Sequence, residues 1–296
     1  MRLLAIVPIL CCLAALILSF LCLFAGSKGN LMEDYHLLTL NTSRIGQNLL
    51  DNGGKLPFDL PGSELLTGLP DEFTDTVSDA IGDIAERLGV EDFYSAHILD
   101  YCYGQYTPIE VANATVSASD ISKNITGCSN RTAAFAFDPN EIIEQALNKS
   151  GLGITLRDLE WPQDIQRGID ALRIISIVTF ALYCIAIGLI GLSLILAIFG
   201  LFANGRMLPC CNLLLAILAF LASGLASGLV TAVLVKGTEV INQYGGQIGI
   251  EADRGNKFLA LTWAATAVMF VAVVIWCIDM CIPRRNKHAN NMDKHG

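Results

Sequence analysis

Four long apolar stretches dominate the pattern of hydrophobic and polar positions along this chain. They are Leu3–Phe24, Ile174–Phe202, Leu213–Val235 and Phe258–Ile278. Each is long enough to cross a hydrocarbon layer of about 30 Å as a helix, which takes about 20 apolar residues. None of them contains Asp, Glu, Lys, Arg or His. The pattern predicts a mainly α membrane protein built on a four-helix transmembrane bundle.

The polar intervals between these stretches predict the order of spans and loops. We expect residues 1–26 to form the first transmembrane span and residues 27–171 an extracellular glycosylated ectodomain. The expected order continues with a second span at 172–202, a cytoplasmic connector at 203–212, a third span at 213–236, a short outer loop at 237–257, a fourth span at 258–281 and a basic cytoplasmic tail at 282–296.

The charges at the ends of the spans predict which side of the membrane each loop occupies. Basic residues near span ends favour the cytoplasmic side. The C-terminal tail carries Arg284, Arg285, Lys287 and Lys294. We therefore expect both termini to be cytoplasmic. The first apolar stretch exceeds the usual 7–15 residues of a signal-peptide core, so we expect it to be retained; cleavage near Ser27 is the alternative.

The charge balance separates the first outer loop from the rest of the chain. Residues 27–171 contain 23 acidic and 9 basic residues, whereas the remainder contains 5 acidic and 10 basic residues. This acidity argues against a nucleic-acid partner and would attract cations or basic polymers. All N-x-Ser/Thr glycosylation sequons also fall in this segment, which supports an outer location. They begin at Asn41, Asn113, Asn124, Asn130 and Asn148.

Only Cys102 and Cys128 lie in the predicted outer loops. Two cysteines in an oxidising compartment allow one intrachain disulfide, with an intermolecular bond as the alternative. The ectodomain is therefore expected to be disulfide-bonded, with mixed helices and short strands. The absence of a Cys-x-x-Cys pair or a nearby His cluster makes an outer metal site an unfavoured interpretation.

The remaining cysteines belong to the spans or their inner ends. Cysteines near the inner face resemble palmitoylation sites, and ordinary buried thiols are the alternative. The candidates for palmitoylation are Cys210, Cys211, Cys277 and Cys281.

Local patterns predict several elements within the ectodomain. Asp71–Val90 has the apolar spacing of an amphipathic helix, and Glu91–Tyr103 combines aromatic residues with a helical apolar stripe. Further predictions are a partial strand at Tyr35–Arg44, a strand at Pro108–Ser117, a helix after Asp138, and a helix that starts at Trp161–Pro162 and runs into the second span.

Two of the predicted spans have small residues along one helix face. The second span has Gly188 and Gly191, and the third has Gly224 and Gly228. Small residues let helices approach closely in lipid. We expect these glycines to support packing inside one bundle, and self-association through the same faces is the alternative.

Charge-free spans argue against a coupled transporter or pump, because such proteins place ionisable residues within the bilayer. The chain also lacks the nucleophile-elbow, zinc-protease and phosphate-loop motifs. We therefore expect a protein without enzymatic activity or cofactor. His97 is interpreted as a packed or surface histidine rather than a ligand or a pH switch.

One segment of the first outer loop combines aromatic, acidic and cysteine residues in a distinctive order. These residues are Asp92, Phe93, Tyr94 and His97, then Asp100, Tyr101, Cys102 and Gly104, and finally Cys128 and Phe137–Pro139. The segment resembles the fungal Sur-seven/PalI tetraspanners, which are similar in layout to claudins, and the order of a long first outer loop and a short second one fits as well. The chain lacks the Trp-rich motif of claudins, so the paracellular pore function of claudins is not implied.

The resemblance implies a non-enzymatic plasma-membrane or cell-cortex protein. Some members sit in static furrow domains, the eisosomes, and affect endocytosis and cell-wall synthesis. The PalI branch instead assists ambient-pH sensing and often has a long cytoplasmic tail, so the short basic tail here favours the furrow branch. A regulator of cation influx or cell fusion is a third possibility. The implied partners are membrane lipids, cortical membrane-domain proteins or further copies of this chain, and the cell wall.

Overall fold

The computed structural model describes eight parts of the chain. These are residues 3–27, 32–43, 91–107, 121–133, 135, 163–202, 207–245 and 250–281. For residues 3–5, 163–172, 244 and 245 the description covers the helical backbone only. The predicted helices at Asp71–Val90 and after Asp138 and the predicted strand at Pro108–Ser117 lie outside the described residues.

Four long helices account for most of the described residues. They are α1 at Leu3–Phe24, α2 at Gln163–Phe202, α3 at Met207–Gly245 and α4 at Asn256–Cys281. All four are long and apolar enough to cross a membrane, which confirms the prediction of a four-span membrane protein. The two central helices have 40 and 39 residues and extend beyond the apolar stretches that predicted them. The expected helix that runs on into the second span is also confirmed from Gln163 onward, while its predicted start at Trp161–Pro162 lies outside the described residues.

Five short strands of the described segments form one antiparallel sheet. A 3₁₀ turn at Glu33–Tyr35 precedes β1 at Leu38–Asn41. The first inter-helix segment, between α1 and α2, also supplies β2 at Phe93–Ala96, β3 at Tyr101–Thr107 and β4 at Ser122–Cys128. The second inter-helix segment, between α3 and α4, supplies β5 at Glu251–Arg254. The strand order is β4-β3-β2-β1-β5.

The sheet confirms one local prediction and corrects another. Strand β1 lies inside the predicted strand Tyr35–Arg44. The helical interpretation of Glu91–Tyr103 is wrong, because this segment forms β2, a reversing turn and the start of β3. His97 N donates to the carbonyl of Asp100 in that turn (2.9 Å). Every residue of β2 is buried, so the alternation that would have marked a half-exposed strand is absent.

The chain forms two compact units. The helical unit comprises residues 1–20, 183–225 and 262–296, and the sheet unit comprises residues 21–182 and 226–261. The helical unit has a core of largely small or flexible apolar side chains, which allow close helix approach. Its buried members are Cys12, Ala15, Ile190, Ala197, Ala216, Ala219, Met269 and Trp276.

One polar contact group lies inside the helical unit. Ser193 donates a hydrogen bond of 2.6 Å from its hydroxyl to Oδ1 of Asn212, and Cys12 Sγ lies 3.7 Å from the same hydroxyl. All three side chains are buried. The group therefore links α1, α2 and α3 through polar atoms. A second buried polar contact joins the hydroxyl of Tyr183 on α2 to that of Thr262 on α4.

The glycines of the spans are not equivalent. A Cβ added at Gly224 would lie 3.7 Å from Thr266 on α4, whereas one added at Gly188, Gly191 or Gly228 would meet no described heavy atom within 4 Å. Close packing within the bundle is therefore seen at Gly224. At the other three positions the added Cβ would meet no described atom, and packing of these glycines within one bundle stays a prediction.

Strand β5 ends the sheet, and its free edge is covered by a side chain. The amide of Asn242 on α3 donates to the carbonyl of Ala252 (3.1 Å), and the Ala252 N–H donates to Asn242 Oδ1 (2.6 Å). On its other edge β5 pairs with β1, where Ala252 lies opposite Leu40. The Asn242 carboxamide thus occupies both outward-facing main-chain groups of Ala252.

Candidate functional site

The family-like residues fold into the β2–β3 hairpin at the centre of the sheet. Phe93 pairs with Gly104, Tyr94 with Tyr103, and Ala96 with Tyr101. The hairpin is flanked by β1 on one side and β4 on the other. The motif is therefore the structural centre of the sheet unit.

The disulfide joins β3 to β4. Cys102 lies directly opposite Cys128 in the strand register, and the two sulfur atoms are bonded across a sequence separation of 26 residues. Cys102 is fully buried. The predicted intrachain disulfide is thus confirmed.

Gly104 is required by the close approach of two strands. The pairing of β3 and β4 shifts register between Tyr103 and Gly104. A Cβ at Gly104 would lie 2.0 Å from the backbone oxygen of Asn124. Only a residue without a side chain fits this irregularity, which is a common use of glycine in strands.

Asp92 ties three strands together at the start of the hairpin. Its Oδ2 accepts a hydrogen bond from the backbone N–H of Tyr106 (2.9 Å), and its carbonyl accepts one from the N–H of Thr42 (2.8 Å). The Thr42 hydroxyl donates to the neighbouring carbonyl of Glu91 (2.5 Å). The role of this motif residue is to fix the hairpin against β1.

The tyrosines of the motif pack against one another. The ring centroids of Tyr94, Tyr101 and Tyr103 lie 6.1 to 6.4 Å apart. They join Leu40 and Ala252 in the core of the sheet unit. Burial raises the pKa of Tyr94, whose hydroxyl accepts from the N–H of Glu91 (3.2 Å). This cluster serves packing.

Lys123 reaches across the sheet from β4 to β1. Its ammonium donates to the Thr39 hydroxyl (3.1 Å) and lies 5.2 Å from the centre of the Phe93 ring. The residue as a whole is exposed, but its aliphatic side chain places the ammonium group against Thr39 and Phe93, where it is largely shielded from solvent. Burial there lowers the pKa of Lys123.

A cluster of titratable groups lies where the 3₁₀ turn meets the hairpin. His97 Nε2 lies 3.0 Å from Glu33 Oε2, and His36 Nδ1 lies 3.0 Å from the Glu33 carbonyl oxygen. Asp100 is buried in the hairpin turn, and burial raises the pKa of its carboxyl group. Burial also lowers the pKa of His36, and the charges of Lys123 and His97 act in the same direction.

Sequence reasoning identified only the hairpin half of this cluster. His97 and Asp100 belong to the family-like segment, but Glu33 and His36 lie 64 and 61 positions before His97 and Lys123 lies on another strand. No local spacing connects them. The available sequence feature was an acidic Glu33–Asp34 pair just before the predicted strand Tyr35–Arg44, which contains His36.

Three residues of this region are close enough to bind a metal ion together, but the sulfur of one of them is not available as a ligand. Ligand atoms of Glu33, His97 and Cys102 lie within 4.8 Å of one another. The Cys102 sulfur is held in the disulfide, and a thiolate is the form that binds metal. Two ligands remain, which is fewer than the three or four of protein zinc sites.

The described sequons differ in exposure. Asn124 and Asn130 are exposed. Asn41 is half-buried, and its Oδ1 accepts hydrogen bonds from the N–H and hydroxyl of Ser43 (3.1 and 2.7 Å). Asn113 and Asn148 lie outside the described residues. Glycosylation stays a prediction, and the exposed pair offers the most accessible amides.

The cysteines predicted to lie near the inner face are exposed free thiols. They are Cys210, Cys211, Cys277 and Cys281. Their exposure is compatible with the predicted palmitoylation, which stays a prediction.

Comparison with protein families gives one result. The model of the SUR7/PalI family matches residues 4–275. Neither the curated proteins nor the solved structures include a match. The family match runs from α1 to α4 and takes in the sheet with its disulfide, which is the region that carried the resemblance. This four-span membrane protein therefore belongs to the SUR7/PalI family.

Proposed function

We propose that the protein is a non-enzymatic organiser of the plasma membrane, resembling eisosome-associated proteins and affecting cortical membrane domains, endocytosis and cell-wall synthesis. Membership of a non-enzymatic membrane family supports the general part of this proposal. The organiser role is the finer part, and it draws on the architecture of the sheet.

The single observation that carries the proposal is that both inter-helix segments build one sheet. Strand β5 from the second segment pairs in register with β1 from the first. A single residue, Gly255, separates β5 from the start of α4. A surface recognised by a partner on this sheet is therefore joined directly to membrane helices, as an organiser of membrane domains requires.

The chemistry of the sheet favours recognition over catalysis. Glu33 and His36, which are half-buried, form a titratable cluster with the buried His97 and Asp100, and its neighbouring sulfur is bonded in the disulfide. A covalent mechanism needs an activated nucleophile next to a base, and the cluster supplies none. This supports a non-enzymatic role.

The proposed setting is the plasma membrane, with the sheet outside and both termini in the cytoplasm. Glycans on Asn124 and Asn130 would decorate the sheet unit. The proposed partners are membrane lipids along the spans, cortical membrane-domain proteins or further copies of the chain, and cell-wall material at the sheet.

The test is live imaging of the protein with a C-terminal fluorescent fusion beside a marker of furrow domains. We expect static cortical patches that coincide with the marker. The double variant C102S/C128S breaks the sheet and should reach the plasma membrane without forming patches. Its matched control is C184S, which changes an exposed cysteine of α2 and should leave the patches intact. A uniform distribution of the wild-type protein would overturn the proposal.

A further inference from the structure

Three side chains that can bind a metal ion meet at one enclosed point of the sheet unit. Glu33 lies on the 3₁₀ turn, His97 on the turn of the hairpin and Cys102 on β3. A carboxylate oxygen, a ring nitrogen and the sulfur all lie within 4.8 Å of one another. The side chains of His97 and Cys102 are fully buried, and that of Glu33 is 13% exposed. Residues far apart in the sequence thus converge away from bulk solvent.

The segment just after α1 borders this point. A Cβ at Gly26 would lie 2.2 Å from the imidazole ring of His97, and Gly26 has a φ of +76°. Glycine is the residue that adopts this left-handed conformation at low cost. The sulfur of Cys102 lies 3.7 Å from the carbonyl oxygen of Gly26. The imidazole and the sulfur therefore lie against the same glycine, which agrees with their convergence.

The distances are close to those of a tetrahedral zinc site. Zinc binds nitrogen and oxygen at about 2.0–2.2 Å and sulfur at about 2.3 Å, so neighbouring ligand atoms of a tetrahedron are about 3.3–3.8 Å apart. His97 Nε2 lies 3.0 Å from Glu33 Oε2, and no separation in the group exceeds 4.8 Å. Shifts of about 1 Å would bring the three ligand atoms to the spacing that zinc requires.

Two atoms of this group have lone pairs that no hydrogen bond uses. Within the part of the chain that the structure describes, Glu33 Oε1 and His97 Nδ1 are buried and have no hydrogen-bond partner. Buried polar atoms are rarely left in that state. A carboxylate offers only lone pairs, and a neutral imidazole offers one on a single nitrogen. A bound cation would therefore satisfy side chains that the described residues leave incompletely paired.

The state of the disulfide decides whether the sulfur ligands exist. Zinc binds thiolates, and neither sulfur of a disulfide is one. Cys128 lies opposite Cys102 in the strand register, and its sulfur is bonded to that of Cys102. Opening this bond would release two thiols beside Glu33 and His97. Cys128 is half-buried whereas Cys102 is fully buried, so the sulfur of Cys128 is the more accessible one to a reductant.

We propose that the chain binds one zinc ion when a thiol reductant has opened the disulfide. The proposed ligands are Glu33, His97, Cys102 and Cys128. Two molecules of thiol supply two electrons and two protons and leave as their own disulfide. Zinc then displaces the two cysteine protons, while the imidazole stays neutral and keeps its one proton on the nitrogen that does not bind the metal.

The proposal gives the same two cysteines two alternative cross-links. In the oxidised chain they join β3 to β4 covalently. In the reduced chain the zinc ion would hold β3, β4, the hairpin turn and the 3₁₀ turn together. Metal binding by a folded site stabilises the fold, so the sheet unit would keep a cross-link in both redox states.

The site goes beyond the proposed organiser role and stands independently of it. An organiser could lack the site, and the site could serve a protein with another role. The experiments below use purified protein, whereas the organiser role is tested by imaging in cells, so one can fail without the other.

The first measurement is a titration of the purified full-length protein in lipid nanodiscs with Co²⁺, whose absorption spectrum reports tetrahedral coordination by thiolates. Oxidised protein is compared with protein that was reduced with a thiol and then freed of it without air. We expect the reduced form to bind one additional Co²⁺ per chain, and Zn²⁺ to displace it. The other eight cysteines are free in both forms, so their contribution cancels. Equal spectra of the two forms would overturn the proposal.

Matched variants test the individual ligands. Loss of a group that merely supports a metal ligand typically lowers affinity 10–100-fold, so E33Q and H97Q should each weaken Co²⁺ binding by the reduced protein at least about tenfold. C128S should abolish the additional binding. The control C210S/C211S changes another pair of cysteines, which are exposed and free, and should bind like wild type. If E33Q and H97Q both bind as tightly as wild type, the cysteines bind metal alone and the proposal is wrong.

The second measurement is unfolding of the reduced protein with and without Zn²⁺, which tests whether the site belongs to the folded state. A ligand at about a hundred times its Kd shifts the unfolding equilibrium about hundredfold towards the folded state. We expect this shift for reduced wild type, and no shift for oxidised protein or reduced H97Q. If Zn²⁺ leaves the unfolding of reduced wild type unchanged, the folded dithiol form has no zinc site and the proposal fails.

Discussion

The interactions inside the helical unit differ in kind from those inside the sheet unit. The helical unit relies on apolar packing around small side chains, with buried polar contacts among Cys12, Ser193 and Asn212 and between Tyr183 and Thr262. The sheet unit combines strand pairing with a disulfide, side-chain hydrogen bonds to the backbone and a buried titratable cluster. Its geometry is fixed by particular groups, whereas packing in the helical unit tolerates exchange among apolar residues of similar size. Substitutions of the same kind should therefore cost more in the sheet.

The largest expected effect follows from removing the disulfide. The double variant C102S/C128S should lose about 3 kcal/mol of stability, because the unfolded chain regains the freedom of the closed segment. Thermal unfolding of purified protein measures the loss. The control C184S alters a free cysteine of α2 and should unfold like wild type. Equal unfolding of the double variant and wild type would show that the strands, rather than the covalent bond, determine the stability of the sheet.

Matched glycine substitutions compare the two units directly. Gly104→Ala places a methyl group 2.0 Å from the Asn124 backbone oxygen and should destabilise the protein by about 1–3 kcal/mol. Gly191→Ala adds the same group on α2, where no described atom lies within 4 Å, and should change stability by less than about 0.5 kcal/mol.

Chemical unfolding in detergent measures both glycine variants. A cost at Gly191 similar to that at Gly104 would contradict the contrast between the units. A change in oligomeric state for Gly191→Ala would instead favour self-association through that face.

A smaller effect is expected from the polar contact group of the helical unit. Ser193→Ala leaves the buried Oδ1 of Asn212 without its donor and should cost about 1 kcal/mol, as interhelical hydrogen bonds in membranes do. The combined variant S193A/N212L removes both partners and should recover part of that loss. The denaturant midpoints of unfolding of S193A and S193A/N212L, compared with that of the wild type, measure both effects. If the combined variant is less stable than the single one, Asn212 contributes through contacts other than Ser193.

The smallest effect concerns the pH dependence that His36 introduces. Burial holds its folded-state pKa below the ordinary value, which is about 6.5. Its contribution to stability is therefore present above that pH and is lost as the pH falls through the lower folded value. His36→Gln should flatten this acid-side decline in unfolding measured from pH 7.5 to pH 5. An unchanged decline would assign it to other groups of the sheet unit.

The two units also differ in how far the sequence alone predicts them. The bounds of α1 follow from the apolar run, and the disulfide follows from the presence of two cysteines in the predicted outer loops. Strand β5 has the sequence Glu-Ala-Asp-Arg, which has low strand propensity, and it forms because β1 offers an edge to pair with. The apolar spacing of Glu91–Tyr103 resembles that of a helix, but the segment is not helical. A tight turn at His97–Asp100 separates the buried strand β2 from the partly buried strand β3.

The sequence predicts only those residues of the candidate site that lie within one segment. Its motif residues lie in one segment and could be recognised together. The partners of His97 could not, because Glu33 reaches it through the fold and Gly26 matters only through its backbone conformation. A pattern of residue types contains neither the φ of Gly26 nor the direction of the Glu33 carboxylate.

The carboxamide of Asn242 has a consequence for how copies of this protein could crowd together. A bare strand edge invites the strand of a neighbour, and proteins at high local density need protection from such joining. Because Asn242 already occupies both outward main-chain groups of Ala252, β5 offers no template for a further strand there. A second copy of the chain could therefore not extend the sheet by adding a strand at Ala252, so contacts between copies at this edge would have to be made by side chains.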